Sequence, residues 1–135
     1  MTAHPFLLTE TRVSADEHPA AVARRTVDRV LEGVAGHTER ARTDAQLVVS
    51  ELVSNALRHG GGLVALRVGV TRDGSGLWLE VEDTSSDLPE ARRELGEDTS
   101  RAGGFGWPIV LRLATSVLVE EVPGGKRIEV VLPVV

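Results

Sequence analysis

The sequence predicts an α+β fold, a two-layer α/β sandwich in which one mixed or antiparallel sheet carries helices on one face. Three observations favour it. Apolar residues before position 60 recur at helical spacing, whereas later apolar segments come in pairs around glycine-rich turns. The regular β-α-β alternation of a Rossmann fold is missing from their order. Since 135 residues is a usual size for one domain, we expect a single domain over residues 1–135.

Two helices are expected in the first half of the chain. Pro19 suits the first turn of a helix, where its missing donor costs little, and Gly36 ends this helix. The second helix is expected to begin at a capping box formed by Thr43 and Gln46, whose side chains satisfy free backbone N–H groups. The glycines at 60–62 end it. Its predicted buried face consists of Ala45, Val49, Leu52, Val53 and Ala56.

Five strands and a third helix complete the prediction. The first strand, Phe6–Arg12, alternates weakly and would lie at a sheet edge. The others form two hairpins around turns at 73–76 and 123–125, with the ranges Leu63–Thr71, Leu77–Glu82, Val117–Val122 and Ile128–Leu132. A short helix is expected from about Trp107 to Ala114. The polar stretch from 84 to about 105 is long for a loop in a compact domain, which is typical of a lid, a binding loop or a disordered segment.

Composition excludes several classes of protein. A net charge of −5, a pI near 5.4 and no stripe of basic residues argue against direct nucleic-acid binding. The chain has no cysteine, so disulfides, thiol catalysis and thiolate metal sites are excluded. No apolar stretch approaches the roughly 20 residues of a membrane span. Because no signal peptide is evident at the start either, we expect a cytoplasmic protein without membrane contact.

Two acidic side chains and an amide are candidates for chemistry. Glu51 and Asn55 are four residues apart on the second helix, so both project from the flank of its buried face. A carboxylate there can accept a proton, and an amide oxygen one turn further on can bind Mg²⁺. Asp83 ends a strand, where its carboxylate can accept a hydrogen bond from an exocyclic amine such as that of adenine. Taken singly, each pattern is as well explained by a solvated helix face or a turn.

Glu51 with Asn55 forms a first candidate cluster and Asp83 a second. The third cluster is the glycine turn Gly103-Gly104-Phe105-Gly106, which is followed by a helix. Glycines let the backbone approach a phosphate closely, and the start of the helix offers free N–H groups and a positive dipole end. A lid hinge without a ligand would have the same composition.

The three clusters together, in this order and at these separations, resemble the N, G1 and G2 boxes of the GHKL ATPases, whose ATP site is called the Bergerat fold. The segments LVVSELVSNALRHG and GGFGWPIVLRLA are most similar to the stand-alone anti-sigma-factor serine/threonine kinases and to related small actinobacterial ATP-binding proteins. The similarity covers nearly the whole chain.

The resemblance implies a role for each matching residue. Glu51 would be the general base for an attacking serine hydroxyl, and Asn55 would bind the Mg²⁺ that bridges the phosphates of ATP. Asp83 would contact the adenine amino group. The backbone of Gly104, Phe105 and Gly106, with Gly103 before them, would close over the β- and γ-phosphates. Arg101 could supply positive charge to the γ-phosphate, although a solvated lid residue is the simpler interpretation.

The sequence departs from the family pattern in three places. Ser85 stands where the G1 box has a glycine that lets the backbone pass close to adenine, so its Cβ could narrow the pocket or its hydroxyl could replace a water. Asp87 adds negative charge near a site for a polyanion. Arg127 follows Lys126 where the family often has a threonine that contacts the base region.

The resemblance implies a kinase that phosphorylates an anti-sigma-factor antagonist of the STAS type and, when free, binds a sigma factor. A homodimer paired through Phe6–Arg12 is compatible with it. The alternatives are a non-catalytic interaction module with weak or no nucleotide binding, which Ser85 and Asp87 favour, and a structural domain that has lost its ligand.

Overall fold

The computed structural model describes residues 9–14, 18–59, 63–84 and 106–134. These form a five-stranded sheet in the order β1-β2-β3-β5-β4, and every neighbouring pair is antiparallel. The strands are β1 (Thr9–Ser14), β2 (Leu63–Val70), β3 (Gly76–Asp83), β4 (Ser116–Val122) and β5 (Gly125–Pro133). The predicted α+β class is therefore correct, and of the two expected sheet types the antiparallel one is present.

Three helices pack on one face of this sheet. They are α1 (Pro19–Leu31), α2 (Glu39–His59) and α3 (Gly106–Leu113). The buried core joins them to alternate residues of β2, β3 and β5, which share one face because side chains of a strand alternate. The predicted face of α2 is confirmed, since its five residues, Ala45, Val49, Leu52, Val53 and Ala56, are all buried. Burial of this apolar face stabilises both layers.

The predicted start of α2 is wrong. The helix begins at Glu39, where the Thr38 hydroxyl accepts a hydrogen bond from the Ala41 backbone N–H at 3.0 Å and so caps the helix. Thr43 lies inside the helix and donates to the Glu39 carbonyl. The Gln46 side chain does not cap the backbone at the helix start, because its amide donates at 2.8 Å to Asp28 of α1.

Asp28 joins the first two helices. Its carboxylate accepts hydrogen bonds from Arg42 at 3.1 and 3.2 Å in addition to the one from Gln46. The Arg42 hydrogen bonds hold the pKa of Asp28 below its usual value, since they outweigh the effect of burial. These contacts hold α2 beside α1. The end predicted for α1 at Gly36 is also wrong: the helix ends at Leu31, and Gly36, with a φ of 84°, lies in the turn that follows.

The strands and turns agree with the predictions to within a few residues. The turn before β3 is closed by a hydrogen bond from the Thr71 N–H to the Gly76 carbonyl, and Gly74 has the positive φ, 77°, for which glycine is suited. The described first strand, β1, runs two residues beyond the predicted end at Arg12, and it lies at a sheet edge as expected. Residues 6–8 of that prediction, and the predicted lid apart from Thr84, lie outside the described residues.

The sheet face opposite the helices carries a line of charges. Glu80 in the central strand β3 is only 5% exposed, and Arg67 donates to it at 2.7 Å. Arg127 approaches it from the other side, with Nε 3.6 Å from a Glu80 oxygen. Burial nevertheless raises the pKa of Glu80, with the nearby Glu129 adding to the effect and the two arginines opposing it.

Candidate functional site

Helix α2 runs the length of the sheet, and its direction decides which residues meet. At its start, the Thr38 N–H donates to the Val134 carbonyl at 3.1 Å, just beyond the end of β5 that pairs with Gly76. At its other end the chain turns into β2, whose residue Ala65 pairs with Glu82. The second half of α2 therefore lies at the end of the sheet where β3 finishes.

Glu51 and Asn55 lie on this second half of α2. Both are half-buried, as expected for residues on the flank of the buried face. The Glu51 carboxylate lies directly against Gly106, the first residue of α3, where a Cβ would overlap the carboxylate. Glycine leaves room for this approach, whereas a larger residue would require the end of the Glu51 side chain to move aside. The second-helix acid and the last glycine of the predicted turn are thus in contact, although 55 positions separate them in the chain.

Asp83 ends β3 at the same end of the sheet, and its carboxylate has a partner that the sequence did not indicate. The Lys126 ammonium lies 3.2 Å from one carboxylate oxygen and 2.9 Å from the other. The two residues are opposite each other across β3 and β5, and their side chains are 2% and 0% exposed. Such a buried pair is stable only because each charge compensates the other.

The backbone around Asp83 depends on a second glycine. Gly125 begins β5, and a Cβ there would overlap the Asp83 carbonyl oxygen and lie 2.8 Å from the Thr84 Cα. The neighbouring atoms are backbone, which cannot move aside as the end of a side chain can. Gly125 therefore lets β5 pass close beneath the end of β3, and this places Lys126 opposite Asp83.

Some of the remaining predicted site residues lie within the ranges that the structure describes, and others lie outside them. Ser85, Asp87, Arg101, Gly103, Gly104 and Phe105 lie outside them. Gly106 is described, buried at the start of α3, with Trp107 partly buried beside it. Arg127, for which the sequence offered no role, faces the opposite side of the sheet and pairs with Glu80, Glu82 and Glu120.

Lys126 is the residue that sequence reasoning missed. It is the one lysine among 15 basic residues, and it follows the turn glycines directly. That signal was visible in the sequence, but its meaning depends on the register of β3 against β5, which places it opposite Asp83.

Two kinds of feature are missing from the described parts of the chain. No group of three or more His, Cys, Asp or Glu side chains is placed there to hold a metal ion. None of the helices described is long and apolar enough to cross a membrane.

An open groove of about 490 Å³, lined in part by Thr71, Gly76 and Thr115, lies at the far end of β3, roughly 23 Å from Asp83 along the strand.

These features belong to a known class of protein. Residues 13–132 match the family model of the histidine kinase-like ATPase domain, which is most of the chain. The protein therefore belongs to the histidine kinase-like ATPase domain family, and the predicted GHKL resemblance is confirmed at this level. The sequence matches none of the curated proteins.

Solved structures agree on the fold. The histidine kinase domain of the Erythrobacter litoralis EL346 blue-light activated histidine kinase is similar with a TM-score of 0.56 and 20% identity, over 85% of this chain and 60% of that one. A second structure of the same kinase gives a TM-score of 0.55 and 20% identity, over 84% of this chain and 40% of that one. The catalytic domain of the histidine kinase ThkA gives a TM-score of 0.51 and 14% identity, over 93% and 97%. At these identities the likeness establishes the fold.

Proposed function

We propose that this protein binds Mg·ATP and transfers the γ-phosphoryl group to a serine or threonine of a partner protein. The observation that carries the proposal is the contact between the Glu51 carboxylate and Gly106 at the start of α3. It brings a proton acceptor to a helix start that offers N–H groups to an anion. Asn55 lies one helical turn from Glu51, so the amide and the acid share one side of α2.

The chemistry needs few groups, because phosphoryl transfer depends mainly on positioning and on charge stabilisation. Asn55 would hold the Mg²⁺, which when bound neutralises charge on the phosphates. Glu51 would accept the proton of the attacking hydroxyl as its oxygen bonds to the γ-phosphorus. The bond from that phosphorus to the β,γ-bridging oxygen breaks, and ADP leaves with the bonding electrons. The first residues of α3 would donate N–H groups to the phosphates.

The partner is proposed from the motifs alone. The similarity of LVVSELVSNALRHG and GGFGWPIVLRLA to the anti-sigma-factor kinases favours a STAS-type anti-sigma-factor antagonist as substrate and a sigma factor as a second partner. A cytoplasmic location fits such partners. The edge position of β1 is compatible with a homodimer formed by strand pairing.

Nucleotide binding is tested first, by fluorescence. The chain has two tryptophans, and Trp107 adjoins Gly106, so Trp78→Phe leaves a single reporter beside the candidate phosphate site. We expect Trp107 emission to change saturably with Mg·ATP. The matched control, Trp107→Phe, keeps Trp78 on the opposite sheet face and should show little change. No response, together with no heat of binding in calorimetry, would contradict the proposal.

Transfer is tested with two variants of α2. Glu51→Ala should abolish phosphorylation of the partner while Mg·ATP still binds, because it removes the proton acceptor. Asn55→Ala should weaken binding of Mg·ATP far more than binding of ATP without metal. Unchanged transfer in Glu51→Ala would exclude this residue as the base, and equal losses in Asn55→Ala would exclude metal binding.

The partner itself is sought by co-purification from native extract with and without Mg·ATP. Mass spectrometry would identify the bound protein and any phosphoserine or phosphothreonine. Recovery of a partner that is never phosphorylated would favour the alternative, a non-catalytic interaction module of the same fold.

A further inference from the structure

The contact between Glu51 and Gly106 brings a negative charge to the start of α3. The three atoms nearest the position of a Cβ on Gly106 all belong to the Glu51 side chain, and a carboxylate oxygen is the closest of them. The described helix α3 has no acidic residue in its own first turn. Because the start of a helix favours an anion, Glu51 of α2 supplies from outside the charge that α3 lacks.

The two helices cannot separate at this contact, so only the Glu51 side chain is able to move. Val110, one turn after Gly106, is buried in the core together with Val48 and Leu52 of α2. The Glu51 side chain is half-buried, and its carboxylate is the free end of a flexible chain. A group that takes up the space beside Gly106 therefore displaces the carboxylate rather than the helix.

We propose that this contact and a bound γ-phosphoryl group exclude each other, so that Glu51 responds to the terminal phosphate of the nucleotide. The carboxylate lies on Gly106 when the site holds ADP and is turned aside when the site holds ATP. The inference rests on the proposed function, in which Glu51 takes the proton of a hydroxyl that attacks the γ-phosphorus, so that the γ-phosphoryl group is the phosphate nearest to it. Two anions beside one helix start repel each other and need the same N–H groups.

The contact should therefore weaken the binding of ATP relative to ADP. Glu51→Gln keeps the size of the side chain and removes its charge. We expect the ratio of the dissociation constant of Mg·ATP to that of Mg·ADP to fall about fivefold in this variant. That change corresponds to the repulsion of about 1 kcal/mol between two unit charges about 4 Å apart in water. Calorimetry on the purified chain, without a partner protein, measures both constants.

Two further variants separate the contact from the overall charge of the site. Glu51→Asp keeps the charge but withdraws the carboxylate from Gly106 by one methylene group, so it should also lower the ratio. Asp44→Asn removes the same charge from a half-buried residue two turns earlier on the same side of α2, and should leave the ratio unchanged. A ratio of two affinities does not depend on the folded fraction of a variant.

The outcomes distinguish this inference from the proposed function. If the wild type binds neither nucleotide, both fail. If the wild type binds Mg·ATP and Glu51→Gln keeps the wild-type ratio, the inference fails while the proposed function stands. A Glu51→Asp ratio equal to that of the wild type, or an Asp44→Asn ratio as low as that of Glu51→Gln, would assign the effect to overall charge and would also overturn the inference.

Discussion

At the scale of single residues, the sequence indicates side chains more readily than their partners. The spacing of Glu51 and Asn55 is local, so a helix places both on one flank whatever the rest of the fold does. Asp83 is recognisable at the end of an apolar strand. Its partner Lys126 is 43 positions away, and only the register of two strands brings it near. Contacts of that kind cannot be predicted from local patterns.

The contact between Glu51 and Gly106 gives a residue-scale prediction about stability. Gly106→Ala places a methyl group where the carboxylate lies, and the end of the Glu51 side chain must move aside, so we expect a loss of about 1 kcal/mol, the low end of the cost of overpacking, in the free energy of unfolding, together with reduced phosphoryl transfer. In a Glu51→Ala background the methyl group meets no carboxylate, and the loss should largely disappear. Denaturant unfolding of the four proteins of this cycle measures the coupling, and equal losses in both backgrounds would disprove the contact.

Glu80 gives a prediction about pH. Because burial raises its pKa in the folded state, the folded protein holds this proton more tightly than the unfolded chain does. Its contribution to stability is therefore fully present below its ordinary pKa and is lost as pH rises through the raised value. We expect the free energy of unfolding of the wild type, relative to Glu80→Gln, to fall over that interval. A difference that is constant with pH, or that rises, would contradict the shift.

At the scale of elements, the type of each helix and strand was predictable and the helix boundaries were less so. Two threonines, Thr38 and Thr43, are each placed to cap the second helix. The structure uses Thr38, whose backbone N–H also bonds to Val134 beyond β5. Tertiary contacts decide between the two, because Asp28 on α1 holds Gln46 and Arg42 inside the helix. No pattern within α2 contains that information.

The capping difference is measurable. Thr38→Ala removes the acceptor for the Ala41 N–H and should lower the free energy of unfolding by about 1 kcal/mol. Thr43→Ala is the matched control: its hydroxyl bonds only to the Glu39 carbonyl within the helix and is exposed, so a change within about 0.5 kcal/mol is expected. Thermal or denaturant unfolding compares them. A larger loss for Thr43→Ala would reverse the assignment of the cap.

At the scale of the whole molecule, the α+β class and the helices on one face followed from the order of apolar patterns. The strand order could not be predicted in this way. The sequence predicts that the last two strands form a hairpin, but it does not indicate which of the two pairs with β3. The structure places β5 there and β4 at the edge. The additional burial of Glu80 follows from this arrangement, since β3 is covered on both sides by neighbouring strands and their long side chains.

Ligand binding should be visible in global stability. A ligand that binds only the folded state stabilises it by about 2.7 kcal/mol at a concentration one hundred times its dissociation constant. For a domain of this size we expect Mg·ATP at that concentration to raise the Tm by roughly 10 °C. Differential scanning fluorimetry with the Asn55→Ala variant as a control measures it. A Tm that does not move in the wild type would exclude specific binding of this nucleotide.

The position of β5 between β3 and β4 also governs the order in which the sheet can be completed. A ribosome makes β3 and its terminal aspartate some forty residues before the lysine that neutralises it. Until the carboxyl-terminal hairpin inserts between β3 and solvent, the sheet stays open on that side and the acid is uncompensated. Closure of the sheet and formation of the buried ion pair between Lys126 and Asp83 are therefore one event, so that a nascent or partly unfolded chain lacks both together.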